Sequence, residues 1–528
     1  MPDIRYIDKD FVRFNFTGFD GSEKNAILAF GDKVDVLEEA AAASGRSRIR
    51  ALELFDGDVE GTVKGRPFRS REKGVLKLSM VDVQQGDGMV IETPPDENDQ
   101  TRIMFIDGGD NKLFARHVAA RFSHRKSSAD NPLEVDLMLI THGDADHFEG
   151  LTEILKSETD ESISDRKRLF IHPKRVYHNG LVKAPSSVAD EEGLGRAVEV
   201  DGKLMIFDLH DDPREVPAEK QNGPFKRWSR ALTKWEERGD ITLKRMAHGM
   251  DAAQLFDFLD PVRVEIQGPF TARVTDPEDG VEKDALPFFH QPRKSALIHL
   301  ETGDNAGGTI SVSHTINGHS VALRMTYGNV RFNLTGDLNQ ESMRLMRERL
   351  DLGELEAEVV KAPHHGSAEF DFRALEAMKP VVSIISSGDE SADKEHIHPR
   401  ATLVSALGKV SRGETGIVLC TELAAFFAKR DQSHERPMIA KFYEGDEAIT
   451  REELRKFYSS VMRSAEDEKA LPSYFGFERT NFGIIHIRTD GERVLVFTHS
   501  GKSGMRESYR FTVDQNHQIE FADDVSTG

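Results

Sequence analysis

Cysteine is almost absent from this chain. A single Cys420 in 528 residues excludes an internal disulfide framework and suits a reducing, cytoplasmic compartment. It also leaves histidine and carboxylate as the side chains from which any metal site must be built. Long apolar runs are missing too: no stretch approaches the roughly 20 consecutive apolar residues of a spanning helix. The opening residues Met1-Pro2-Asp3-Ile4-Arg5 lack the basic-then-apolar pattern of a secretory signal. The expectation is a cytoplasmic protein with no membrane role. Positive charge is in deficit, with 70 Lys and Arg against 91 Asp and Glu and a net charge of −21. Such a surface repels a polyanion at long range and argues against loose coating of nucleic acid. It leaves open a local basic channel, or a small anionic substrate drawn in by bound cations, and acidity also serves solubility alone. The length is too great for one ordinary core, so two or three domains are expected, or one large domain with insertions.

Residues 1–72 read as a separate small β-rich unit. Segments 26–37 (AILAFGDKVDVL) and 49–60 (IRALELFDGDVE) are short β-like runs punctuated by Gly-Asp turns, which suggests a small barrel. The pattern weakly resembles bacterial SH3-like domains, and an irregular β-rich extension reads equally well. The basic stretch 66–73 (RPFRSREK) looks like a linker. From residue 76 the texture becomes that of a layered α/β domain, 73–528, in which short apolar strands end in polar turns. Strands are expected at 75–83, 103–106, 135–140, 262–268, 320–327, 330–335, 358–362 and 381–385, and helices at 113–122 and 339–350. Residues 157–260 hold Trp228 and Trp235 with mixed charge and few clean periods. They read as a partly helical insertion that covers the site, with an amphipathic helix at 250–259. Residues 433–470 look polar and helical, and 482–488, 494–499 and 508–513 look like a closing β-meander.

The strongest chemical signal is His142-Gly143-Asp144-Ala145-Asp146-His147, directly after the apolar run 135–140. Four potential ligands lie within six residues, and a turn can aim them at one metal or at two neighbouring ones. Imidazoles and carboxylates suit zinc, manganese or iron, and the carboxylate share favours manganese. Gly336-Asp337 ends another apolar strand. Alone it is usually only a turn, but a carboxylate there can bridge two metals. His364-His365 also stands at a strand end, and His398 follows the strand at 381–385. Read alone, His398 would be a surface histidine.

Together these motifs resemble the metallo-β-lactamase superfamily. HGDADH is similar to its HxHxDH signature, with Asp144 where the second His usually stands, a departure found in the ComEC-type subgroup of DNA-uptake hydrolase domains. MVDVQQGDGMVI (80–91), FIDGG (105–109), NGHSVALRMTYGNVRFNLTGD (317–337), KAPHHGS (361–367) and RTNFGIIHIRTDG (479–491) resemble that subgroup's motifs in the same order. The resemblance covers about 78–160, 260–430 and 475–515. It implies an αββα sandwich and a site for two divalent metal ions, zinc or manganese. His142 and Asp144 would hold one ion, Asp146 and His147 the other, and Asp337 would bridge. His364 or His365, with His398, would complete the set. Asp107 would orient a histidine from behind. His178 and His248 are further candidates, each read more readily as a surface histidine.

The implied chemistry is attack by a metal-activated water on a phosphodiester. Asp146 or Asp144 would orient that water, and Lys361, Ser367 or the N–H groups at Gly366 would stabilise developing charge. A phosphodiesterase, most simply a nuclease, is therefore the leading expectation, with a nucleic-acid or nucleotide substrate. The alternative is a small-molecule hydrolase acting on a cyclic nucleotide, phosphoester, thioester or lactam, with the insertion as a lid. A third reading makes the N-terminal barrel the working part, recruiting a protein partner.

Overall fold

Runs of valine, isoleucine, leucine and methionine with two-residue alternation pair into two mixed sheets whose apolar faces meet. The computed structural model describes residues 2–18, 20–42, 44–53, 57–70, 74–291, 309–388, 398–413, 416–422, 483–499 and 508–522. The helical stretch expected at 433–470 lies outside the described residues.

The larger sheet has ten strands. Thr242–Arg245, Arg175–His178, Leu137–Leu139 and Ile103–Asp107 run parallel. Gly88–Glu92, Leu76–Met80, Ile484–Thr489, Arg493–His499, Ser508–Val513 and Ile519–Phe521 continue it antiparallel. The second sheet orders Arg263–Gly268, Ala322–Tyr327, Val330–Leu334, Val359–Lys361, Val382–Ile385 and Ile417–Cys420, its last four strands parallel. Leu78, Met104, Ile106 and Leu139 from the first sheet share one core with Leu323, Phe332, Val359 and Ile384 from the second. Residues one step along each strand point the other way, because the pleat alternates. Phe105 and Met138 thus meet the helices Leu113–Arg121, Ala145–Thr159 and Gly223–Glu236. Val360 and Ile385 meet the helices Gln340–Arg349, Phe372–Met378 and Ala401–Val410. The class is mixed α/β, in the layer order helix, sheet, sheet, helix. Parallel strands of both sheets end at one edge, where open α/β sheets collect functional loops.

Two sequence expectations change. Residues 157–260 are only in part an insertion, because Arg175–His178 and Thr242–Arg245 extend the main sheet and Trp228 and Trp235 join its helix-facing core. The edge strand Thr242–Arg245 is only half covered, so its sequence carries no clear apolar period. What stands apart is a four-stranded sheet, ordered Ala197–Val200, Lys203–Ile206, Glu282–Pro287 and Ala272–Thr275. The helix expected at 250–259 is a single turn, Ala252–Leu255, followed by a 3-10 turn, Asp257–Leu259.

The described residues among the first 69 form a seven-stranded antiparallel sheet whose last strand is Phe68–Arg69, paired with Ile4–Ile7. The stretch read as a linker is therefore partly sheet. This unit is docked on the closing strands. Asp32, Asp8 and Asp10 pair with Arg488, Arg493 and Arg510, and Arg69 pairs back with Asp490. Phe11, Phe30, Leu495 and Phe497 pack beneath those pairs. Among the described residues no helix is long and apolar enough to cross a membrane.

Candidate metal centre

The strand Leu137–Leu139 delivers Thr141 and His142 to the sheet edge, and Asp144 stands in extended backbone just before the helix Ala145–Thr159. That helix buries Phe148, Leu151 and Ile154 and carries Asp146 and His147 in its first turn. Its approach to the neighbouring turn requires a glycine, since a Cβ at Gly150 would overlap the Gly108 carbonyl. Gly108 N–H donates to the His147 carbonyl (2.6 Å) and Gly150 N–H to the Gly109 carbonyl (2.8 Å). This contact sets Asp107 behind His147, its Oδ2 2.9 Å from Nδ1. Thr141 holds the same carboxylate through its N–H (2.8 Å) and hydroxyl (2.7 Å). His147 is thereby turned so that Nε2 faces Asp337.

Asp337 is the hub. It follows the strand Val330–Leu334, and its N–H donates to Ser320 Oγ (2.9 Å). Its Oδ2 lies 3.0 Å from His365 Nε2, 3.3 Å from His147 Nε2 and 3.9 Å from His364 Nε2. His142 groups with His147 and Asp337, and Asp146 with His147 and His365; within each group the ligand atoms lie within 4.8 Å of one another. His365 reaches Asp146 Oδ2 (3.6 Å) with Nε2 and Asp87 Oδ1 (3.2 Å) with Nδ1. His364 and His365 both sit in the left-handed region, at φ 47° and 50°. This costly backbone fans the two rings apart and is the kind of strain found where function over-determines a loop. The His398 ring lies 5.7 Å from that of His364 and 6.5 Å from that of His365.

Other predicted residues have different partners. Asp144 is outside these groups: Lys183 Nζ holds its Oδ1 at 2.5 Å. With its amide nitrogen turned inward, Asn317 reaches Asp144 Oδ2 (3.1 Å) and His142 Nε2 (3.2 Å). Lys361, read from sequence as a stabiliser of developing charge or equally as a solvated strand residue, is fully buried. It pairs with Asp87 and donates to the Gly336 carbonyl (2.8 Å), with Asp337 Oδ1 at 3.5 Å. An apolar strand flanked by two carboxylates draws the ammonium inward, so both readings are corrected. Ser367 accepts the Glu369 N–H (3.3 Å) and shapes the turn. His178 is engaged by the Asp211 carbonyl and the Gly180 N–H, and His248 by the Ile266 carbonyl. Neither joins the cluster. Asp87, Asn317 and Lys183 were missed as site residues. The first two lie inside the quoted motifs, whereas nothing near Lys183 in sequence marks it.

Electrostatics show what the cluster demands. Burial opposes charging of His365, yet Asp337 and Asp87 push it up to about 10. His147 is likewise raised, against burial, by Asp337 and Asp107. His398 is pushed down to about 2 by burial and by His364 and His365. His142 is held well below its ordinary range, chiefly by burial. Buried carboxylates thus collect positive charge, while neighbouring imidazoles stay neutral with lone pairs available. The Nε2 atoms of His147 and His365 are buried without hydrogen-bond geometry. The charge that Asp337 draws onto His147 and His365 as protons could be supplied by a cation instead, and imidazole nitrogens with carboxylate oxygens are a donor set for zinc or manganese. No family model matches this chain, and no curated protein matches it in sequence.

Proposed function

We propose that this chain is a metal-dependent hydrolase of phosphodiesters, of the metallo-β-lactamase sandwich type, with motifs that resemble those of the ComEC-type subgroup. In this reading the N-terminal sheet is an SH3-like barrel. One observation carries the proposal. Histidines 142, 147 and 365 converge on a single Asp337 carboxylate from two loops that end different strands, and Asp146 joins them through His147 and His365. A polar loop has no structural need for this many buried imidazoles around one carboxylate, since each costs desolvation.

His142, His147, Asp146, Asp337 and His365 would hold two divalent cations, zinc or manganese, with His364 and His398 beside them. Such ions supply Lewis acidity towards a phosphoryl oxygen and lower the pKa of a water. The chain's own groups do the rest. Asp107 fixes the His147 ring so that Nε2 faces inward. Lys361 balances Asp87 and Asp337 from behind. The Asp146 side chain is 24% exposed, the most open of the carboxylates here, and can accept a proton from an attacking water. Lys183, held at Asp144 on the rim, is the cation placed to meet a phosphate oxygen.

The test uses purified protein with manganese or zinc on single-stranded DNA, plasmid and bis(p-nitrophenyl) phosphate. Cleavage that Asp146→Ala abolishes supports the reading, and metal-independent or absent cleavage of all three refutes it. Val182 and Ala184, on either side of Lys183, border a cavity of about 460 Å³ that none of the candidate ligands lines, and a small molecule held there is the second reading. That volume is in the range of small-molecule pockets. Cyclic nucleotide hydrolysis with DNA left intact would select it.

A further inference from the structure

We propose that an open groove along the helix Gly223–Glu236 seats the phosphate backbone of a single-stranded nucleic acid beside the metal centre. This deepens, and rests on, the phosphodiesterase reading. The helix is anchored by one face: Phe225, Trp228, Leu232 and Trp235 are buried. Its exposed face carries Lys226, Arg230 and Lys234 at four-residue intervals, about 6 Å apart along the axis at 1.5 Å per residue. That spacing is close to the reach of successive phosphates on an extended strand. The groove has a volume of about 520 Å³, with Arg214 on its opposite wall, and no carboxylate lines it. Four cations border it on a chain of net charge −21, two of them with acid partners beside the groove.

Arg214 is paired with Asp212 and Glu236, and Lys234 with Glu237. Lys226 and Arg230 are exposed and have no ion pair among the described residues. They are the two charges available to a ligand. The helix that bears the groove also abuts the candidate site. Asn222, which caps the helix, donates its N–H to the Lys183 carbonyl (2.9 Å), and Lys183 binds Asp144. Phe225 packs on Phe148 of the helix that begins in the HGDADH turn, ring centroids 5.0 Å apart. A single row of cations fits one backbone, whereas a duplex presents two. No aromatic ring lines the groove, so bases would not stack there and binding would be sequence-independent.

The experiment is fluorescence anisotropy of a labelled oligothymidylate with the full chain in EDTA, so that binding is read without cleavage. Lys226→Glu with Arg230→Glu should weaken binding at least about tenfold. It should also reduce the slope of log K against log salt by about 1.4, two phosphates at about 0.7 each. A charge-matched control on the N-terminal sheet, Arg48→Glu with Lys64→Glu, should change neither, and circular dichroism checks that both variants fold. Equal loss in the control means the effect is net charge and overturns the groove. An unchanged slope in the groove variant, no binding by the wild-type chain, or tighter binding of a duplex also overturns it. Failure of the wild-type chain with metal to cleave bis(p-nitrophenyl) phosphate would instead count against the phosphodiesterase reading, which the anisotropy does not measure.

Discussion

Asp87 and Lys361 bury opposite charges behind the candidate ligands, and neither would be tolerated there alone. Asp87→Asn leaves an ammonium balanced only by Asp337 at 3.5 Å and frees His365 Nδ1 from its anchor. The expected result is a loss of roughly 3 kcal/mol in urea denaturation together with a 10- to 100-fold loss in metal affinity. Unchanged metal affinity would show that Asp87 serves stability alone. A second residue gives a pH signature away from the ligands. Burial opposes protonation of His314, yet Glu341 (3.2 Å) and Glu369 (3.4 Å) bracket its ring and raise it to about 9. The unfolded chain titrates near 6.5, so this stabilisation is complete below about pH 6.5 and is lost as pH rises through about 9. It amounts to about 3 kcal/mol, and His314→Gln should flatten the decline in urea midpoint across that window. The candidate ligands stood out in the sequence because each follows closely on an apolar strand. Lys183 did not, because only tertiary approach brings it to Asp144.

The helix Ala145–Thr159 and the turn after Ile103–Asp107 act as one device. Gly150→Ala should push them apart, because the added methyl meets the Gly108 carbonyl. The expected cost is about 1–3 kcal/mol of stability, with weaker metal retention as Asp107 leaves His147. Thermal denaturation with and without manganese measures both, and wild-type behaviour would show that the contact positions nothing. Strands buried on both faces, such as Val330–Leu334 and Val382–Ile385, were readable as apolar runs, as was the hairpin turn between Ala322–Tyr327 and Val330–Leu334. The stretch 157–260 was not, since its strands are short and its edge strand is half exposed. Its one strongly amphipathic helix hides its apolar face among tryptophans spaced by other residues.

For the whole molecule, the sequence made the mixed α/β class and the separate texture of the first 70 or so residues legible, but not how that unit is attached. Its carboxylates meet arginines more than 450 positions away, which no local pattern announces. Phe30 is buried at this junction between the guanidinium groups of Arg69 (4.9 Å) and Arg493 (3.7 Å). Phe30→Ala should cost about 3–5 kcal/mol and split a shared urea transition into two; a single unshifted transition would show that Phe30 does not couple the two units.

The central claim concerns cations at Asp337, and its most direct measurement is metal content per folded chain after dialysis against trace zinc and manganese. The account predicts two divalent ions per wild-type chain and their loss in Asp337→Asn with the circular dichroism spectrum retained. A folded wild-type chain that keeps no metal, or an Asp337→Asn chain that keeps as much, would contradict it.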